Sequence, residues 1–582
     1  MKEKPIKNLI LTAMGDMEPD LVIKGALIFN SFTGFFTPAD LAVKDGYIAG
    51  VGAYDSTVTI DGRNHYLLPG LMDSHVHIES SLCSPAEFAR ALNANGVTTV
   101  IADPHEIANV AGAKGIQYFL DASEGTPVNI FVMLPSCVPA SDLECGGATL
   151  KAQDLLPFIC HPRVLGLGEM MNFPGVLSLD PEVLEKMNLK WKDCPTRKEF
   201  YLDGHAPGLM GRSLTAYAAA GISSDHESTS CGELSDKLSS GIFCLLREGT
   251  AAKNLLNLLP IVTSFNSRFC AMATDDRHAI DLKVDGSINH LLRVALAARN
   301  VSLPELINMA SLNGALHYGL TDIGALAPGY RADMALYPDL WSFRPSMVWK
   351  DGVLTAREGK SLVPVIGPGK ADAMRHSVKL GPIKAGDLKA LASKSLKARV
   401  IGMRDSEIVT DELIMELPVR SGEFLSDPEK DIAKMAVFDR YRPESKPAIG
   451  FLKGLGLKRG AIGSTVSHDS HNLVVLGASD KDMIIAAKRL AAIEGGLIAV
   501  LDGKVLGELP LPIGGLMSTM TLLETANILG ALLETLPRLG FGKTDDPFMP
   551  LAFMSLPVVP ELKLTSKGLV DVKTSSIVPL NA

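Results

Sequence analysis

Cysteine is scarce and poorly placed for staples. Eight cysteines are scattered through 582 residues, at Cys83, Cys137, Cys145, Cys160, Cys194, Cys231, Cys244 and Cys270, and none lies further on. No CxxC pair occurs, which excludes zinc knuckles and dithiol redox motifs and predicts reduced, mostly buried thiols in a cytoplasmic protein. Basic charge is short as well. The formal charge is −9 and the pI near 5.9, with no basic stripe of the kind a nucleic-acid face needs. Long apolar runs are missing: no stretch approaches the roughly 18 residues of a membrane span. The N-terminal MKEKPIKNLILTAMGDMEPD has too short an apolar run, followed by acids, to read as a signal peptide. Internal repeats and low-complexity tracts are absent too.

Apolar residues, by contrast, are plentiful. With 47% hydrophobic residues and a mean hydropathy of +0.19, the chain can bury large cores, and its length predicts two to four domains. Residues 20–68 alternate β-rich runs (DLVIKGALIFNS, DLAVKDGYIAGVG, STVTI) with turns, as an antiparallel sheet would. A matching segment, IGALAPGYRADMALYP followed by SMVWKDGVLTAREGK, comes much later. Pairing the two predicts a small β-sandwich from residues 1–70 and 321–365. Between them, 71–320 holds eight apolar strands, each followed by a helical pattern: GLMDSHVH, TTVIADP, NIFVMLPS, VLGLGE, FYLDGH, GISSDH, GIFCLLR and FCAMATDD. That is the pattern of an α/β fold of the (β/α)8 TIM-like type, with the active site at the carboxyl ends of the strands. A doubly wound open sheet would need a Gly-rich phosphate turn after the first strand, and there is none. Residues 366–582 read as a linker and a C-terminal α+β domain.

Polar residues gather where those strands end. Strand one ends in Asp73-Ser-His75-Val-His77, and positions i and i+2 of a strand face the same way, so His75 and His77 can share a metal. Taken alone, an HxH pair is weak. Strand four, however, ends in Glu169, five in His205, six in His226-Glu227 and eight in Asp275-Asp276. All are metal-ligand types projecting onto one rim. Four histidines and two carboxylates exceed what one catalytic zinc uses, which suggests two ions. His65, His161, His290, His317 and His376 fall outside strand ends and are read as solvent or core residues.

PGLMDSHVHIE with these strand ends resembles the amidohydrolase superfamily. GVTTVIADPHEIANVAG, GLGEMMNFPGV, DGHAPGLMG, SSDHES, MATDDRHAIDL, GFLKGLGLKRGAIGSTVSHDSHN and GELPLPIGGLMS are similar to bacterial adenine deaminases, over essentially the whole chain. The resemblance implies that His75, His77, His205 and His226 ligate metal. Glu169 would take the bridging place that a modified lysine fills in some relatives, and Asp275 would both bind metal and move protons. It further implies hydrolytic deamination of adenine to hypoxanthine and ammonia, with cyclic-amide hydrolysis or deamination of another heterocycle as the alternative. Two divalent ions per chain are expected, manganese first, with iron and zinc as alternatives. On a metal the pKa of water falls from 15.7 to about 7, giving a hydroxide able to attack C6 of the ring.

The ring must then accept electrons, and Glu106 and Asp103, at the end of strand two, are the candidates for this, against a reading as helix caps. His105 is a third. Glu79, Glu227, Asp276 and His278 are candidates for orienting ligands or lining the base pocket. His468 and His471, in the C-terminal HDSHN, are expected to approach the barrel mouth, closing the pocket or holding a further ion. The partners are then adenine and water, with neither nucleic acid nor membrane, and the assembly expected is a homodimer.

Overall fold

Eight parallel strands in chain order form the centre of the molecule, seen here in a computed structural model that describes residues 4–189, 199–365, 367, 371–393, 396–404, 409–542 and 546–582. They are β1 (Leu71–Val76), β2 (Val97–Ala102), β3 (Asn129–Leu134), β4 (Val164–Met170), β5 (Tyr201–Gly204), β6 (Ser224–Asp225), β7 (Phe243–Arg247) and β8 (Cys270–Ala273). Every residue of β1, β2 and β4 is buried, as strands covered on both faces must be; hence their unbroken apolar runs rather than alternation. Intervening helices cover the outside. In Pro85–Ala94, for example, proline starts the helix, and Phe88, Ala89 and Leu92 face inward.

Closure of the barrel also assembles its rim. β8 meets β1 through a parallel bridge between Val76 and Asp275. The Asp275 backbone N–H donates to the His75 carbonyl (3.0 Å), and that of His77 to the Asp275 carbonyl (3.1 Å). The seam therefore brings the HxH pair and Asp275, two hundred residues apart in the chain, into one register.

A nine-stranded sheet flanks the barrel, built from both distant segments. Tyr66–Pro69 pairs antiparallel with Met334–Tyr337, and Ile23, Val43, Met334 and Trp349 share one core. Beyond it, residues 397–510 supply a mixed eight-stranded sheet. Its strand Leu473–Gly477 alternates sides: Val475 packs with Met483 and Leu490 of the helix Asp480–Ala492, while Val474 and Leu476 pack with Leu529 and Leu532. The strands Ala461–Ser464 and Leu473–Gly477 are an antiparallel pair, and the connection between them, residues 465–472, brings His468 and His471 to Glu106 at the barrel mouth.

Among the described residues six cysteines are free, but Cys160 is disulfide-bonded, which corrects the expectation of reduced thiols; Cys194 lies outside the described residues. Among the described residues, no helix is long and apolar enough to cross a membrane.

Candidate metal centre

One carboxylate organises the rim. Glu169, the sixth residue of β4, turns Oε1 toward the β1 pair, 3.0 Å from His75 Nε2 and 2.5 Å from His77 Nε2. Its Oε2 faces the next two strand ends, 2.9 Å from His205 Nδ1 and 3.9 Å from His226 Nε2. Asp275 closes the ring, with Oδ1 3.1 Å from His77 Nε2 and 3.7 Å from His75 Nε2. The His75 and His226 rings stack with centroids 4.0 Å apart. All six expected ligands therefore meet. Five are buried, and His205 is nearly so.

The electrostatics follow from packing two carboxylates among four imidazoles. Burial would raise the Glu169 carboxyl, but His77, His205 and His75 hold it well below its ordinary value. Burial likewise opposes ionisation of Asp275, yet Arg247 and then His77 keep it well down. Burial, with His75 beside it, pushes His226 well below the usual imidazole range. Burial lowers His75, His77 and His205 too, but Glu169 and its neighbouring carboxylates outweigh it and raise all three. An ion entering here would therefore displace their protons, because neutral imidazoles and ionised carboxylates are the forms that bind metal.

The donor set fits a divalent metal. His226 Nε2 is a buried nitrogen with no hydrogen-bond partner among the described residues, and with His205 Nδ1 it lies on the Oε2 side of Glu169. His77 donates from Nδ1 to the Asp103 backbone carbonyl at 3.0 Å. That bond aims Nε2 at the cluster, the usual arrangement of a metal-bound histidine. His75, Glu169, His226 and Asp275 could hold one ion, while His205, His226 and Glu227 converge beside them. Asp275 also has a positive φ of 58°, rare for a residue with a side chain and concentrated at functional sites.

The remaining candidates surround this centre unevenly. His105 is part of it, its ring edge-on to His77 with centroids 4.6 Å apart. Asp103 accepts from the His105 backbone N–H, at the start of the following helix, through Oδ1 (3.1 Å), while its Oδ2 is buried with no partner among the described residues. Glu79 accepts from the Ile107 backbone N–H (3.2 Å); burial, with Glu106 nearby, pushes its carboxyl up to about 7. Glu227 pairs with Arg247, and Asp276 accepts from Ser80 Oγ. His278 faces elsewhere, with Nδ1 3.3 Å from Asp546 Oδ2 of the C-terminal part. His468 and His471 do reach the mouth, and both contact Glu106: His468 Nδ1 lies 2.8 Å from Oε1, and His471 Nε2 bonds Oε2.

Two residues escaped the reading of strand ends. Arg247, the last residue of β7, donates from Nη1 to Asp275 Oδ2 at 2.9 Å and bonds Glu227 with both amino groups. Its signal was present, since a buried arginine ending a barrel strand has to pair. Asp469, between the two C-terminal histidines, lies in the polar HDSHN segment, but nothing in that run marked it over its neighbours.

Comparison with known proteins agrees with this geometry. Residues 66–355 match the amidohydrolase family, and residues 407–576 match the adenine deaminase C-terminal domain. Adenine deaminase 2 of Carboxydothermus hydrogenoformans is 51% identical over 99% of this chain and 100% of its own length. The chain belongs to the adenine deaminase family of amidohydrolases. Relatives from Desulfatibacillum aliphaticivorans, at 46% identity over 98% of this chain and 99% of their own, and Kosmotoga olearia, at 42% over 99% of both, are also named adenine deaminase. For a member of this family, contact between the C-terminal part and Glu106 puts both matched regions at one site.

Proposed function

We propose that the protein hydrolyses adenine to hypoxanthine and ammonia at the strand-end cluster. The observation that carries this reading is the division of Glu169, one oxygen toward His75 and His77 and the other toward His205 and His226. A carboxylate shared in this way suits two divalent ions held by His75, His77, Glu169, His205, His226 and Asp275, with manganese expected and iron or zinc as alternatives. Ions held there would lower the pKa of a bound water from 15.7 to about 7 and so supply the nucleophile. Full-length relatives named adenine deaminase support adenine as the substrate.

The chain's own residues handle the protons. Asp275, kept ionised by Arg247, takes the proton of the attacking water and delivers it to the departing amine, as general acid–base catalysis requires. Glu106 and Asp103 serve the ring nitrogens, Glu106 through the C-terminal histidines that hold both its oxygens, and His105, Glu79, Glu227 and Asp276 orient the centre around them. The working division of the chain is a barrel at 71–320, a flanking β unit from 1–70 with 321–365, and a C-terminal unit from 366. A cytoplasmic homodimer belongs to the same reading, the dimer from the commonest oligomer symmetry.

The test is to incubate the purified protein with adenine, following ammonia and hypoxanthine, with metal analysis of the same sample. Equal release of both products is expected, at two ions per chain. Full activity at one ion would remove the two-ion part. No ammonia from adenine, with turnover of a cyclic amide instead, would replace the substrate.

A further inference from the structure

The connection between the strands Ala461–Ser464 and Leu473–Gly477 carries a carboxylate that nothing above uses. Asp469 sits between His468 and His471, whose rings hold the two oxygens of Glu106. It is 3% exposed, and its Oδ2 is buried with no hydrogen-bond partner among the described residues. Burial pushes the carboxyl up to about 6 against the pull of His105, and the charges of Glu106 and Glu169 raise it further. Its place over the barrel mouth is set by geometry: His468 Nδ1 is 3.9 Å from Asp469 Oδ1 and 2.8 Å from Glu106 Oε1, and the same Glu106 oxygen is 3.4 Å from His105 Nε2. A buried polar group without a partner is costly unless something supplies one.

A further cation is the first candidate, since Glu106, His468 and His471 lie close enough together to hold one. The hydrogen bonds of His471 argue against it. The Ser467 backbone N–H donates to His471 Nδ1 at 3.1 Å, so the proton of the neutral ring is on Nε2, the atom facing Glu106. A metal-bound histidine has the opposite pattern, donating from its far nitrogen, as His77 does to Asp103. The two C-terminal histidines are thus anchors that fasten the loop to Glu106. What they hold in place is Asp469.

We propose that Asp469 accepts the N–H of the substrate's five-membered ring and so selects the free base over nucleosides. This inference rests on the deaminase reading. Adenine carries one such N–H, on N7 or N9 according to tautomer, whereas adenosine and 9-methyladenine carry none. A site built to hydrogen-bond a substrate N–H rejects analogues lacking it by about 10⁴–10⁵, because its own polar group is left buried and unpaired.

The experiment compares adenine with 9-methyladenine by ammonia release in the metal-loaded wild type, Asp469→Asn and Asp469→Ala. Binding of hypoxanthine and 9-methylhypoxanthine is measured calorimetrically on the same samples. The wild type is expected to prefer adenine by at least about 10³ in kcat/KM. That ratio should fall at least tenfold in Asp469→Asn and further in Asp469→Ala. The loss should lie in KM and in hypoxanthine affinity, at unchanged metal content. An unchanged ratio in a folded, metal-replete Asp469→Ala protein overturns the assignment alone. A wild type that releases no ammonia from adenine overturns the deaminase reading, and this inference with it. Asp469→Asn, close in shape, keeps the comparison usable if the alanine variant does not fold.

Discussion

At the carboxyl end of the barrel, four histidines crowd around Glu169 and Asp275; at the opposite end, His317 lies flat on Phe243, centroids 4.2 Å apart, beside Tyr201 and Tyr318. Phe243 and Tyr201 are the first residues of β7 and β5, so this is the barrel floor. Both environments take imidazoles out of water. The difference is in what accompanies them. On the rim every ring meets a carboxylate, whereas among the described residues His317 makes ring contacts with Phe243, Tyr201 and Tyr318 and no ion pair, and burial lowers its pKa to about 4. In barrel enzymes the carboxyl ends of the strands bear the chemistry and the other end bears stability. Here one residue type does both jobs, and its neighbours decide which.

The sharpest break between the two ends is Asp275→Asn. The amide keeps the shape and one ligating oxygen but cannot take up a proton. A fall in kcat of about 10²–10⁴ is expected, the usual range for a lost general acid–base, with metal content followed in parallel. Activity within a factor of a few of wild type, with both ions bound, would take the proton-carrying role away from this residue.

Arg247→Met separates chemistry from stability on the rim itself. It leaves Asp275 and Glu227 buried without their cation, and removing one partner of a buried pair costs about 3–5 kcal/mol. Denaturant unfolding of the metal-free protein should show that loss. Arg247→Lys should recover only part of it, since an ammonium cannot reproduce the two-pronged contact with Glu227. Equal stability of wild type and the methionine variant would mean that the rim network is not structural.

These ends were unequally legible in the sequence. The rim could be read because a strand repeats every two residues, so His75 and His77 had to share a face, and apolar runs marked where Glu169, His205, His226 and Asp275 would emerge. The flanking sheet was legible from its alternating runs, although its halves lie far apart in the chain. The contact of His471 with Glu106 was not. It spans 365 residues and depends on how the C-terminal sheet sits over the barrel, which no local pattern encodes. His278 illustrates the converse: it follows Asp275 closely but turns to Asp546, because past the strand end the chain no longer alternates. Arg247 was available in principle, as the one charged residue of β7, but it is not a metal-ligand type.

The barrel floor gives the smallest and cleanest test. A histidine whose folded pKa is about 4, against an ordinary 6.5, binds more protons unfolded than folded at any pH between those values. Stability must therefore rise with pH across that window. The contribution is complete above pH 6.5 and is lost as pH falls toward 4. With the ring only half-buried, about 2 kcal/mol is a reasonable scale for the whole change. His317→Phe keeps the stacked ring against Phe243 and removes the titration. Urea midpoints at pH 7 and pH 4.5 should then show the wild type losing more stability than the variant by up to that amount. Rim histidines cancel in the difference because both proteins carry them. Equal losses would mean that the floor histidine is solvated enough to titrate normally, and the contrast between the two ends would narrow to their carboxylates alone.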